Sequence, residues 1–301
     1  HNIDIGIPFV VSTRNYGVLW DNNSITRVGD PRPYQAINEA LTVRGANGEA
    51  DGPTAQYYRA GRLVVTRQEQ DVDYQYLPSD QFATGQARRD VWPRELGGAA
   101  PDRVVWTGSL EARASGVHKF RLYASSYFKL YIDDELVLDG WRQNWNPWYR
   151  NFEVQMTAGQ PRRIRIEWDV NDGYIKLDHL DPLAPEDRHS LSFASEIAHA
   201  IDYYYIAGES MDDVIAGYRR LTGKAVMLPR WAYGFWQSRQ RYNTQAEVLD
   251  VLREYRRRGI PIDNIVQDWF YWPENAWGSH EFDAARFPDP AAMVREVHDS
   301  N

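Results

Sequence analysis

A chain of 301 residues, 43% hydrophobic and 25% charged, has the make-up of a globular protein long enough for two domains. A formal net charge of −8 without a long Lys/Arg block argues against a nucleic-acid binder, and no apolar run reaches the length of a membrane span. The absence of cysteine excludes disulfides, thiolate metal sites and cysteine nucleophiles, whereas 12 Trp and 19 Tyr fit either carbohydrate-facing surfaces or aromatic-rich β cores.

The chain opens with an apolar strand, Ile5–Ser12, a turn at Asn15–Gly17, and a returning strand from Val18 that stops at the Asp21–Ser24 turn. These read as strands of a β-sandwich, with His1, Asn2 and Asp4 able to reach toward a site. The first residues lack the basic start and apolar centre of a signal peptide. His1 stands where Met is expected, so we expect the chain to begin inside a longer one. A turn-rich break follows at Gly45–Pro53. From about Ala50 to Asp181 come short alternating segments: Val104–Ser109, His118–Ala124, Phe128–Ile132, Glu135–Leu138, Arg150–Met156, Arg162–Asp169 and Tyr174–His179. Their spacing predicts an inserted antiparallel β-sandwich. Asp133 and Asp134 fit a hairpin tip better than calcium ligands, because a hard cation takes about six or more oxygens. Thr157–Gln160 is a second hairpin turn. Asp139–Tyr149 reads as a loop dense in aromatics and amides. Its Trp141, Arg142, Trp145 and Trp148 are candidate contacts for distal units of an oligosaccharide; alternatively Trp141 and Trp148 plug the end of the sandwich.

Residues 182–189 form a linker, and Leu191–Ala200 and Ile201–Ile206 return to strand character, rejoining the first sandwich. Ser210 caps a helix running through Leu221 and stopped at Gly223. Its helically spaced Met211, Val214, Ile215, Tyr218 and Leu221 are expected in the core. A strand–helix–strand unit follows. The first strand is Trp231–Gln237. The helix starts at Thr244 with Glu247 as capping-box partner, carries Val248, Leu249, Val251, Leu252 and Tyr255 on its apolar face, and stops at Gly259. The second strand is Asn264–Trp269. A unit of this length predicts a parallel pair with a right-handed crossover, and in such folds ligands bind at the carboxyl ends of strands. Asp268 stands there among Trp269, Phe270, Tyr271 and Trp272. A carboxylate amid rings suits a sugar, whose C–H faces meet the rings while two hydroxyls donate to the carboxylate. Composition alone fits equally well with core aromatics and Asp268 capping the next segment. Asp289-Pro290 starts a last helix to about His298. Neither His280 nor His298 has metal-ligand spacing, and we expect neither metal nor cofactor.

The succession Leu-Pro-Arg-Trp-Ala-Tyr-Gly-Phe-Trp-Gln-Ser from Leu228, Ile-Pro-Ile-Asp-Asn-Ile-Val-Gln-Asp-Trp-Phe-Tyr-Trp from Ile260, and Phe-Asp-Ala-Ala-Arg-Phe-Pro-Asp-Pro from Phe282 resembles the opening of the catalytic barrel in glycoside hydrolase family 31, most closely its α-xylosidase branch. The resemblance covers nearly all of residues 190–301. Ala55–Tyr58, Trp106–Leu110, Ser115–Phe120, Leu130–Asp134 and Leu138–Trp141 resemble the protective-antigen-type β-sandwich, a domain associated with carbohydrate binding. The resemblances imply a mixed fold: an N-terminal β-sandwich with its connection to the barrel (residues 1–49 and 182–227), an inserted second β-sandwich (50–181), and the first two β/α units of a TIM (β/α)8 barrel (228–301). The implied activity is retaining, exo-acting hydrolysis that releases xylose from xyloglucan oligosaccharides. An α-glucosidase or α-galactosidase-type specificity remains open, as does a non-catalytic carbohydrate-binding protein. By resemblance, Asp268 binds hydroxyls of the terminal sugar, Trp269 and Phe270 wall its subsite, and Trp236 and Arg241 sit at the end of the first strand. The nucleophile and acid/base are expected beyond residue 301, so no catalytic residue is assigned. Two strands cannot close an eight-stranded barrel, so the expected partners are the oligosaccharide substrate and the remainder of the same enzyme or a second chain. Polysaccharide fragments are met in a periplasm or outside the cell, and we expect the protein to act there.

Overall fold

A computed structural model gives the structure of residues 6–74, 92–187 and 190–300, which is mostly β-sheet with few helices. The chain divides into two compact units: one is Trp20–Asp202, and the other joins the chain up to Leu19 to everything from Tyr203. His1, Asn2, Asp4 and Ile5, all used in the sequence reading, lie outside the described residues. The chain starts as a hairpin of β1 (Phe9–Ser12) and β2 (Tyr16–Trp20). At its turn Asn15 takes the left-handed φ of 61° that asparagine tolerates, and its side-chain amide donates to the Glu209 carbonyl at 2.8 Å.

The Trp20–Asp202 unit is built from β3 (Thr26–Gly29), β4 (Gln35–Ala36), the single-turn helix α1 (Ile37–Ala40), β5 (Thr42–Gly45), β6 (Thr54–Arg59), β7 (Arg62–Gln68), β8 (Asp73–Tyr74), β9 (Arg103–Glu111), β10 (Gly116–Ala124), β11 (Ser126–Ile132), β12 (Glu135–Arg142), β13 (Trp148–Met156), β14 (Pro161–Asp169), β15 (Ile175–Leu180) and β16 (Ser192–Ser195). One sheet runs β12-β11-β14-β9-β6-β7, with β5 also on β9; the other runs β13-β10-β15-β4, with β8 also on β15. Every predicted segment of the insertion is a strand, because each alternates between core and solvent. Along β11, Ser126, Phe128, Leu130 and Ile132 are buried while Tyr127 and Lys129 face out. Trp106, Leu130 and Trp168 from one sheet and Phe120, Leu122 and Leu177 from the other share one core. Asp133 and Asp134, at φ 49° and 70°, form the β11–β12 turn. Asp133 accepts the Arg163 backbone N–H at 2.8 Å and Asp134 pairs with the Arg163 guanidinium at 2.6 Å, so both serve the hairpin.

The expected boundary near residue 49 is displaced. Val43 of β5 pairs with Leu110, and Ala36 of β4 with Asp178, so residues 35–45 belong to these two sheets rather than to a separate N-terminal sandwich. A Cβ on Gly108 would stand 2.2 Å from the Arg44 carbonyl oxygen, so glycine is what lets β5 lie against β9. β3 and β16 form a two-stranded ribbon in the same unit, beside which Trp20 stacks on Phe193 at 5.2 Å. Between the large sheet and the core, Glu69 accepts from Trp106 Nε1 (2.7 Å), the Tyr74 hydroxyl (2.9 Å), the Arg67 guanidinium (2.6 Å) and the Tyr57 hydroxyl. Burial first, and then the Glu69 carboxylate, push both phenols above their ordinary pKa.

In the other unit, β17 (Tyr203–Ala207) completes a three-stranded sheet in the order β1-β2-β17. Helix α2 (Met211–Thr222) starts with a Ser210/Asp213 capping box and ends at Gly223. Its expected core face is narrower than predicted. Val214 and Gly217 are buried and Tyr218 stacks on Phe9 at 4.5 Å, but Met211, Ile215 and Leu221 are exposed, because only one strip of the helix meets the small sheet. Then come β18 (Trp236–Ser238), α3 (Gln245–Arg257), β19 (Asn264–Val266) and α4 (Pro290–Asp299). Thr244 caps α3 by accepting the Glu247 N–H, but the Glu247 carboxylate takes the N–H of Asn243 rather than of Thr244, one residue off the expected box. Val248 and Leu249 of α3 pack with Tyr242, Phe287 and Met293. The first predicted strand is shortened at its start, where Arg230–Tyr233 form a 3-10 turn after Pro229, and the second stops at Val266. The two strands are parallel as predicted, with Trp236 opposite Asn264 and Ser238 opposite Val266.

Candidate functional site

Because β18 and β19 run parallel, the residues that follow them emerge on the same side. Arg239–Arg241 follow β18, Gln267 and Asp268 follow β19, and the Trp269 N–H ties the two by donating to the Gln240 carbonyl at 3.2 Å. Asp268 is exposed and, among the described residues, has no hydrogen-bond or ion-pair partner. Beside it the Trp269 and Phe270 rings meet edge to face at 6.0 Å, and Trp277 meets Trp269 at 5.2 Å. The Arg241 guanidinium lies 5.5 Å from the Trp269 ring and 5.3 Å from that of Phe270. Of Trp269–Trp272 only Trp272 is buried, and the half-buried Tyr271 packs against the core around Tyr242 and Phe287, so the core-aromatic reading holds for these two and not for Trp269 and Phe270.

Phe270 is held at φ 62°, a left-handed conformation rare for a bulky side chain. What holds it is Arg286, which donates to the Phe270 carbonyl at 2.8 Å and the Trp272 carbonyl at 2.6 Å and is itself paired with Asp283 at 3.2 Å. The result is a free carboxylate, a guanidinium and rigid ring edges at one strand end, a set able to receive a polyol. Trp236 is not part of it. It opens β18 instead of closing it, with its ring against Trp231 at 6.3 Å and its Nε1 donating to the Ala232 carbonyl at 3.2 Å. The 3-10 turn that delays the strand moves Trp236 to the amino end.

In the sandwich unit, Asp139–Tyr149 is not one loop. β12 continues through Arg142 and β13 begins at Trp148, leaving residues 143–147 to cross between the two sheets. The Ser125 hydroxyl fixes this connector, donating to the Asn144 carbonyl at 2.9 Å and accepting the Tyr174 N–H at 2.8 Å. Trp141, Trp145 and Trp148 are 49%, 69% and 46% exposed, so none plugs the sandwich. Arg142 and Trp148 come together, guanidinium to ring, at 5.5 Å, while Trp141 pairs with Tyr127 at 6.1 Å. Trp145 stands at the connector tip, its backbone N–H on Asn144 Oδ1 at 2.9 Å.

Sequence reasoning missed two further features. A groove of about 450 Å³ is lined by Asp30, Tyr34, Lys119, Arg121, Asn151 and Glu153, with the Arg121 guanidinium 3.8 Å from the Tyr34 ring and 4.8 Å from that of Tyr149. The other is a trio of His118, His179 and Asp181, the two imidazoles fully buried and 2.8 Å apart between Nδ1 and Nε2. Burial first holds the His179 imidazole down to about 4; Asp181 opposes this and His118 adds to it. The expectation of no metal rested on spacing along the chain. These histidines are 61 residues apart and meet only through the pairing of β10 with β15.

Residues 225–301 match the Glycosyl hydrolases family 31 TIM-barrel domain, and residues 98–181 match the PA14 domain. An alpha-xylosidase of Saccharolobus solfataricus is 51% identical over 111 residues, 37% of this chain and 15% of that protein. An uncharacterized family 31 glucosidase of Pseudescherichia vulneris is 41% identical over 110 residues, 36% of this chain and 20% of that protein. The crystal structure of a GH31 alpha-xylosidase from Xanthomonas citri superposes on all of this chain with a TM-score of 0.88 at 48% identity, and 32% of that chain is covered. The chain thus spans less than a third of the length of each of these relatives.

Proposed function

From a chain that carries a glycoside hydrolase family 31 barrel segment and a PA14 segment, we propose that it is part of a retaining, exo-acting α-xylosidase that releases xylose from oligosaccharides such as those of xyloglucan. β18–α3–β19 is the opening β/α portion of the catalytic barrel, and the residues from 35 to about 181 are a carbohydrate-binding insertion. The observation that carries the reading is Asp268, exposed and without a partner among the described residues where a parallel strand runs out, beside Trp269, Phe270 and Arg241. Two sugar hydroxyls donating to a carboxylate in a partly dry pocket are each worth about 1.5–3 kcal/mol. Asp268 therefore binds, and the attacking carboxylate and the acid/base belong to other residues of the complete enzyme. A ring near C5 of the sugar rejects a hydroxymethyl group and admits xylose, which is the specificity role we assign to the Trp269–Phe270 wall. Arg142 with Trp148, and Trp141 with Tyr127, would receive more distant units of the oligosaccharide. Such substrates point to action in a periplasm or outside the cell.

The test is Asp268→Ala in the complete enzyme, assayed on p-nitrophenyl xyloside. Turnover per KM should fall by about 10²- to 10⁴-fold, the loss of two charge-assisted bonds, with an unchanged melting curve. Kinetics equal to the parent enzyme would refute the assignment.

A further inference from the structure

We propose that His118, His179 and Asp181 form a site for a first-row divalent metal of the zinc type, on the sandwich unit and independent of the glycosidase reading. The antiparallel pairing of β10 with β15, in which Phe120 faces His179, sets the two imidazoles side by side in the interior. Asp181 follows β15 by one residue and keeps its carboxylate half exposed, on the side from which an ion enters. Asp181 Oδ1 lies 3.7 Å from His118 Nδ1 and 4.0 Å from His179 Nε2, and the two nitrogens are 2.8 Å apart. The point equidistant from these three atoms lies about 2.1 Å from each, the length of a zinc–nitrogen or zinc–oxygen bond.

The hydrogen bonding argues in the same direction. His118 Nε2 sits 2.8 Å from the Ala114 carbonyl oxygen, which only accepts. The His118 proton is therefore on Nε2, and Nδ1, 2.8 Å from His179 Nε2, carries the free lone pair. An imidazole whose outer N–H is tied to a backbone carbonyl is the arrangement found around metal-bound histidine. Without an ion, His179 donates from Nε2 to that lone pair, and its own Nδ1 is left as a buried atom with no partner. Ion entry moves the His179 proton from Nε2 to Nδ1, with no net release. Two imidazoles and one carboxylate suit zinc and its neighbours, whereas calcium asks for an all-oxygen shell of about six or more ligands. A neighbouring cation, Arg32, donates to the Asp181 backbone carbonyl at 2.9 Å and is paired with Asp30 at 2.8 Å. An ion here would clip two strands to the segment that leaves the sandwich.

The experiment strips the full chain with a chelator and titrates it with zinc chloride, reading heat and melting temperature. About one zinc per chain should bind and raise the melting temperature, while calcium chloride should do neither. Asp181→Asn, on an exposed side chain, should leave the metal-free melting temperature unchanged and weaken zinc binding by about tenfold or more; His179→Gln should abolish uptake. No zinc uptake by the parent chain overturns the proposal, and so does uptake by Asp181→Asn equal to the parent, since the ion would then sit elsewhere. Neither outcome bears on xyloside turnover.

Discussion

Two carboxylates mark the difference between the two units. Glu69, in the sandwich, accepts from Trp106, Tyr74, Arg67 and Tyr57, so both its oxygens are engaged within the fold. Asp268, at the ends of β18 and β19, has no partner among the described residues and sits beside a phenylalanine in a strained backbone conformation. A carboxylate engaged on every side is architecture. One left open among the described residues, two positions before a strained Phe270, is on the proposed reading kept for another molecule.

Glu69→Ala should give the largest effect. It takes the acceptor from the buried Trp106 N–H and from the Tyr57 and Tyr74 hydroxyls, while the part-exposed Arg67 turns to water, and should lower stability by about 3–5 kcal/mol in urea melts. A loss below about 1 kcal/mol would mean that the network is wet and the contrast with Asp268 is false. Next in size is a pH effect in the metal-free sandwich. His179 has a folded pKa held near 4, below its ordinary 6.5, so between these values the unfolded chain binds a proton that the native state does not. Stability is fully present above about pH 6.5 and falls as pH drops toward about 4. A urea midpoint that stays flat between about pH 6.5 and 5 would contradict this. Smaller still is the backbone term at Phe270. Phe270→Gly should be about 1 kcal/mol more stable than Phe270→Ala, since neither keeps the ring and only glycine takes φ 62° without penalty. Equal melting curves would remove the strain argument. Smallest, Asp268→Asn should shift stability by no more than about 0.5 kcal/mol.

Local order in the sequence foretold local order in the structure. Period-two alternation located seven of the ten described strands between residues 50 and 181, missing β6, β7 and β8, and Thr244, Ser210 and Asp289 announced three helices, because both signals act within a few residues. What distance decides was hidden. Nothing near Val43 says that it pairs with Leu110, and nothing near His118 says that His179 will lie beside it. Trp236 was misplaced for a different reason: a β-prone run beginning at Trp231 winds into a 3-10 turn after Pro229, which shifts the start of the strand. Asp268 was legible as a position, since a short apolar strand ends two residues before it, but its lack of partners is visible only in three dimensions.

Arg286 lies over the Phe270 ring at 5.3 Å and also grips the backbone of both Phe270 and Trp272 from a turn fourteen to sixteen positions downstream. On the proposed reading, exchanges around Asp283 and Arg286 would move the Phe270 and Trp272 backbone without replacing Asp268, Trp269 or Arg241. On that reading, divergence toward new sugars has a route through a hinge pin as well as through the pocket wall.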